Sequence, residues 1–300
     1  MKRKRSDMTD VREMNLDEIS NHYHLFDYTD GADFAITFRV DEFANQMLAR
    51  SLMNVIVVCT QGWLHFDING IQHTLNAGQV LILPSHLIIG TYEASNDMQG
   101  FALCLSDRLL FVILNKKIDL WIRSIFINNI MFLDLTEMEL ERIGLYSSLC
   151  HNILDDKKIS DRLYLLKHLV ALCVQDVCNK LKTVDKEPLG TMQYSKQLFY
   201  RFMTILLKSE VKRHPVQYYA KELSVTPKYL SVVCTKYSGI TTLGWIERLV
   251  MGDVRYYLRC TDMSAKDIAD VLGFPNNSFF GRYVARNTGM SPSQYRKSLR

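Results

Sequence analysis

The residues with the most pointed chemistry lie near the end of the chain, in "LGFPNNSFFGRYVARNTG", Leu272 to Gly289. Arg282 and Arg286 stand four residues apart behind Asn277 and Ser278, and Gly289 supplies a helix stop. A guanidinium offers two parallel N–H donors that fit O6 and N7 of guanine, and a carboxamide fits N6 and N7 of adenine. An earlier segment, "VTPKYLSVVCTKYSG", places Lys228, Ser231 and Val232 on a comparable face, with Lys236 toward the helix end.

The opposite sides of these two segments are apolar, through Leu230 and Val233 in one and Phe280, Tyr283 and Val284 in the other. The expected base-reading set is therefore Lys228, Ser231, Val232, Asn277, Ser278, Phe279 and Arg282. Thr226, Lys236 and Arg286 fall near helix ends, where contacts to phosphates belong. Phe279 borders the same face, placed to touch a thymine methyl or to pack. Gly281 costs ~1 kcal/mol against alanine inside a helix, so a close approach of backbone or of a neighbouring helix is expected there.

A solvated helix face carries the same residue types, so the weight rests on what surrounds them. Each segment closes a pair of helices. Ala220 sits in the first helix of one pair, Ser224-Val225 form the turn, and Thr226-Pro227 give an N-cap and first helical position. Ala269 and Gly273-Phe274 repeat this in the other pair, with a turn one residue longer. Small residues let the paired helices cross closely, which is the signature of a helix-turn-helix, here written twice. Between the pairs "TLGWIERLVMGDVRYYLRC" reads as a stiff amphipathic helix able to hold two recognition helices in adjacent grooves. Ser291, Pro292 and Gln294 write a capping box for a last helix.

Charge separates along the chain. From Tyr194 onward there are 17 Lys and Arg against 7 Asp and Glu, whereas the first 193 residues carry 19 against 25. A basic third joined to a mildly acidic remainder points to one region that meets a polyanion. The 7 cysteines are scattered without a C-x-x-C, as expected for buried thiols in a reducing compartment. The chain shows neither an apolar run long enough to span a bilayer nor a secretory signal, so a cytoplasmic location is expected. "KRKR" at the start reads as a solvated tail.

The first part of the chain reads as strands from about residue 25 to 105. Leu64, Phe66 and Ile68 alternate with Trp63, His65 and Asp67, and Asn69-Gly70 supplies a hairpin turn. Gly62, Gly70 and Gly78 recur at short-strand spacing, the pattern of a sandwich or small barrel. The period then turns helical over 139–154 and 161–181. In the second of these, Leu163, Leu166, Val170, Cys173 and Val177 form one stripe, while Leu165, Leu169 and Leu172 form its neighbour. One stripe suffices to dock on the strands, and the first set is expected to be a dimer seam. "KTVDKEPLGTMQ" has no periodicity and reads as a linker.

The motifs "YAKELSVTPKYLS" to "KYSGITTLGWI" and "IADVLGFPNNSFFGRYVARNTGMSPSQYR" strongly resemble the AraC/XylS family of bacterial transcription regulators, over about residues 194 to 300. The resemblance implies a seven-helix domain that binds two successive major grooves of double-stranded DNA. It also implies an N-terminal cupin-like sensing domain with dimerisation helices. The expected fold is thus α+β in two domains: a cupin-like β-barrel or sandwich with dimerisation helices over residues 1–182, a linker at 183–193, and an all-α domain with two helix-turn-helix motifs over 194–300. The implied partners are DNA, a second copy of the chain, a small-molecule effector and RNA polymerase, with no membrane and no cofactor. No residue is assigned to effector binding, to catalysis or to a metal.

Two departures from the family matter. Where an arginine is common in the first recognition helix this chain has Val232, and where a Phe-Lys pair is common in the second it has Val284-Ala285. Whether the first unit reads bases or only clamps the backbone is left open, and the binding load shifts toward Arg282 and Arg286. The alternative is a cupin-type metal-dependent enzyme with an accessory DNA-binding domain. His65 and His73 stand apart without a glutamate at suitable spacing between them, which disfavours it.

Overall fold

The computed structural model describes residues 12–14, 26–30, 33–43, 49–68, 71–85, 87–90, 93–127, 131–185 and 193–299. By contacts the chain divides into two compact units. One comprises Met1–Thr29, Ala35–Leu105 and Met131–Leu166, and the other Asp30–Phe34, Ser106–Ile130 and Lys167–Arg300.

The strands are β1 (Arg12–Met14), β2 (Tyr28–Thr29), β3 (Phe34–Thr37), β4 (Ala49–Ser51), β5 (Asn54–Gln61), β6 (Trp63–Ile68), β7 (Ile71–Asn76), β8 (Gln79–Leu83), β9 (Ile88–Ile89), β10 (Glu93–Ala94), β11 (Gln99–Leu105) and β12 (Phe132–Asp134). The helices are α1 (Asp107–Leu114), α2 (Ile118–Trp121), α3 (Glu137–Asp155), α4 (Arg162–Val184), α5 (Tyr194–Lys208), α6 (Val216–Glu222), α7 (Pro227–Ser238), α8 (Thr242–Cys260), α9 (Ala265–Val271), α10 (Asn277–Thr288) and α11 (Pro292–Leu299).

Two six-stranded sheets form, one ordered β1-β4-β9-β6-β10 with β7 on β6, the other β12-β8-β5-β11-β3-β2. The β6/β7 hairpin pairs Ile68 with Ile71, which leaves two residues for its loop; Asn69 and Gly70 themselves lie outside the described residues. Leu64, Phe66 and Ile68 point inward, as their alternation requires. They share one core with Val57, Leu81 and Ala102 of the other sheet, so the apolar faces of the two sheets are buried against each other. Burial pushes the Cys59 thiol up to about 11 and that of Cys104 to about 12, which keeps both protonated and unreactive.

The helical unit contains more than its sequence announces. Ser106 caps α1 by accepting the Leu109 amide, and α2 runs on into a π-helical stretch, Ile122–Ile127. Trp121, Ile122 and Ile125 are fully enclosed, and Phe126 meets Phe199 of α5 and Trp245 of α8 edge to face, at 6.1 and 5.6 Å. The contact boundary accordingly does not fall at residue 182, because residues 106–130 bury their apolar faces in the helical unit. α4 continues to Val184, and Asp185 accepts from Arg123 Nε at 2.9 Å and Ser124 Oγ at 2.7 Å. Residues 183–185 of the stretch read as a linker therefore belong to the end of α4 and its anchor, and 186–192 lie outside the described residues.

Candidate nucleic-acid interface

Helices α6 and α7 make one helix pair and α9 and α10 another. The two turns repeat the same closing hydrogen bond, and the second reaches its N-cap one residue later, as its sequence predicts. The Val225 amide donates to the Ala220 carbonyl at 2.9 Å, and the Phe274 amide donates to Ala269 at 2.8 Å. Ser224 and Gly273 occupy the same left-handed position, at φ 56° and 72°. Glycine adopts this conformation without penalty, whereas Ser224 carries some strain. Ala220 and Ala269 are both buried, as the close crossing of each pair requires.

The second helices also match at both ends. Thr226 Oγ1 accepts the Tyr229 amide at 3.2 Å and Asn276 Oδ1 accepts the Phe279 amide at 3.0 Å, so each helix has a side-chain N-cap. Gly239 and Gly289 close them in left-handed geometry at φ 72° and 71°. Beyond the caps, Ser238 Oγ donates to the Cys234 carbonyl and Thr288 Oγ1 to Val284, both at 2.8 Å. α11 starts from the expected capping box, with the Ser291 amide donating to Gln294 Oε1 at 2.9 Å.

The sequence-derived residues sort cleanly by exposure. Leu230, Val233, Phe280 and Val284 are buried, with Tyr283 half-buried. Lys228, Val232, Asn277, Ser278, Phe279 and Arg282 are exposed, and Ser231 is half-buried. Thr226, Lys236 and Arg286 are exposed as well. The Arg282 guanidinium lies over the Phe279 ring, 4.5 Å from its centroid, a cation–π contact between two exposed side chains that favours this orientation of the cation. Val232 is the counterpart of Arg282 in the first unit, and an isopropyl group there has no hydrogen bond to offer a base. Arg286 Nη2 donates to Glu247 Oε1 of α8, an exposed pair of small energetic weight. Burial, with Glu247 nearby, pushes the Tyr283 phenol up.

Helix α8 carries both units. Its 19 residues extend about 28 Å at the usual 1.5 Å rise. Trp245 is enclosed and its indole Nε1 donates to Ser238 Oγ of α7 at 2.7 Å. On the other side Arg248 donates to Asp107 at the start of α1. Arg108, the next residue, reaches Asp33 at 3.6 Å and Asp253 of α8 at 3.7 Å. These charged partners went unseen in the sequence, because a lone Asp or Arg on a helix gives no sign of a partner 141 residues away.

Two expectations are corrected. Of the five residues assigned to a dimer seam, Leu166, Val170, Cys173 and Val177 are at most 2% exposed and so present no surface to a second copy. Leu163, at 41%, is open, and Leu165 and Leu172 of the neighbouring stripe are open with it. The two stripes were exchanged because both are apolar, and only the fold decides which one it covers. Gly281, expected to sit against backbone or a helix, has among the described residues nothing outside its own stretch of helix within 4 Å of where a Cβ would project. Gly281→Ala should therefore raise the thermal unfolding midpoint, through about 1 kcal/mol of helix propensity. A fall in the midpoint, measured by circular dichroism, would show that the site is not open.

His65 Nδ1 is paired with Thr74 Oγ1 at 2.7 Å, and the His73 ring lies near the rings of Phe66 and Phe132 at 5.9 and 5.7 Å. Among the described residues no three His, Cys, Asp or Glu side chains gather as metal ligands, and no helix is long and apolar enough to cross a membrane.

Residues 219–298 match the family described as "Helix-turn-helix domain". Over 80 residues the chain is 31% identical to "Regulatory protein PocR" of Salmonella typhimurium, which covers 27% of this chain and 26% of that protein. Over 59 residues it is 37% identical to "Transcriptional activator NphR" of Rhodococcus sp, covering 20% of this chain and 18% of the relative. The chain thus spans about a quarter or less of the length of these relatives. Among solved structures, ToxT from Vibrio cholerae aligns with a TM-score of 0.38 at 12% identity, over 89% of this chain and 99% of that one.

Proposed function

We propose that this chain, whose residues 219–298 form an AraC-type helix-turn-helix domain, is a sequence-specific transcriptional regulator. Helices α7 and α10 enter two successive major grooves of one DNA duplex. The observation that carries this reading is the repetition of the same turn-closing hydrogen bond, side-chain N-cap and glycine stop, each leading to a helix with a buried apolar face and an exposed polar one. In the second unit Asn277, Ser278 and Arg282 read base edges, with Phe279 beside them. In the first, Lys228 and Ser231 make what base contacts there are, and Val232 contributes only shape. Thr226, Lys236 and Arg286 face phosphates.

The division of labour follows the charge: residues 194–300 bind DNA, while residues 1–182 take a small-molecule effector in a cupin-like fold and carry the contacts of a homodimer. A second copy would meet the outward leucines, Leu163, Leu165 and Leu172, rather than the enclosed stripe. RNA polymerase is a further partner on this reading.

The test is selection from a random-sequence duplex library with the full chain. Enrichment of a two-box motif, its boxes about one helical turn of 10 base pairs apart, is expected. Enrichment of one short box, or none, would sink the reading. Lys236→Ala should weaken binding to every duplex alike and reduce the slope of log affinity against log salt by about 1. An unaltered slope removes Lys236 from the phosphate contacts.

A further inference from the structure

We infer that residues 209–215, between α5 and α6, are a strap that fixes the two helix-turn-helix units to each other and so sets the spacing of boxes the protein accepts. The inference rests on the DNA-binding reading above. Helix α8 joins the units end to end and each is bonded to it, through Trp245 to Ser238 of α7 and through Glu247 to Arg286 of α10. The strap adds a bridge between them on another side. Lys212 holds it to the first unit, where its carbonyl accepts Tyr219 Oη of α6 at 2.7 Å. Its ammonium meets Asp253 of α8 at 2.9 Å. The residues on either side of Lys212 reach the second unit. Val211 fills the space at Gly273, where an added Cβ would come within 2.5 Å of its Cγ1. Arg213 lies over the Phe274 ring at 4.5 Å, and that ring in turn packs edge to face on Phe280 and Tyr283 of α10.

The geometry explains why the two turns differ. Position 224 holds a serine in left-handed conformation and tolerates it, so the turn alone does not demand glycine. Position 273 has the same backbone but also the strap's valine against it, and only a residue without a side chain satisfies both. Burial pushes the Tyr219 phenol up to about 12, so the hydroxyl that holds the strap stays a donor at any working pH.

Two variants test this by different routes. Val211→Gly with Arg213→Ala removes the strap's grip, and Gly273→Ala wedges it off; Lys212 is left alone because Asp253 also serves Arg108. In the DNA-free full chain, spin labels on noncanonical residues at positions 235 and 285, both exposed, report the distance between α7 and α10. A narrow distribution in the parent chain that broadens in both variants is expected, and equal widths would overturn the strap. With the duplex selected above, inserting half a helical turn, about 5 base pairs, between the boxes should weaken the parent at least about tenfold and the variants less than about threefold. Equal discrimination by parent and variants also overturns it. Should the parent bind no duplex, the DNA reading falls, while the distance measurement still decides the strap.

Discussion

Asp107→Ala lowers the stability of the helical unit by about 3 to 5 kcal/mol, the cost of breaking a buried ion pair from one side. Asp107 and Arg248 retain only 8% and 12% of their side-chain exposure. Removing the carboxylate takes away the acceptor of Arg248 Nε, on a guanidinium that lies 5.5 Å from the Trp245 ring centroid and is largely shielded from water. Position also contributes: Asp107 opens α1, where a negative charge complements the helix N-terminus. Two of the three tryptophans, Trp121 and Trp245, are fully enclosed in this unit, so their fluorescence in a urea titration follows its unfolding. The midpoint should fall at an unchanged slope. The double variant Asp107→Ala, Arg248→Met should recover most of the loss, since both charges of the buried pair are then replaced by apolar side chains. A single variant as stable as the parent would mean that the pair is open in solution.

That pair marks the limit of what the sequence discloses. Both helix-turn-helix units could be located because every element of their signal is local: a small residue in one helix, a turn, a capping hydroxyl or amide, and a glycine stop, all within some twenty residues. Repetition then separated signal from chance. The strand alternation of Leu64, Phe66 and Ile68 is legible for the same reason. By contrast, "DRLLFVILNKKIDLWIRSIF", 107–126, gives no local sign of what covers its apolar residues, because that cover lies on α5 and α8 far along the chain. The stripes of α4 failed similarly, since periodicity finds an apolar face but not its neighbour. Of the candidate interface, exposure and capping were readable residue by residue. The orientation of Arg282 over Phe279, and the hold of Glu247 on Arg286, depend on tertiary placement and were not.

Arg282→Ala should cost about 1 to 3 kcal/mol in binding to the selected duplex and relax preference at one base pair. Three features concentrate the effect there. Arg282 is the one outward arginine ahead of the last turn of α10, its counterpart in α7 is Val232, and the Phe279 ring 4.5 Å away already limits its orientations. A guanidinium held this way loses less side-chain freedom on docking than a free one, and the gain is specific to a base that accepts two parallel bonds. Phe279→Leu separates the contributions: it keeps an apolar contact for a thymine methyl but removes the flat ring. If stacking orients the arginine, Phe279→Leu weakens binding mainly where the base under Arg282 is guanine, and it has little further effect once Arg282 is alanine. If the two changes add independently in a double-mutant cycle, the ring contacts DNA in its own right and does not position the guanidinium. Full affinity and unchanged base preference in Arg282→Ala would move the reading face off α10 altogether.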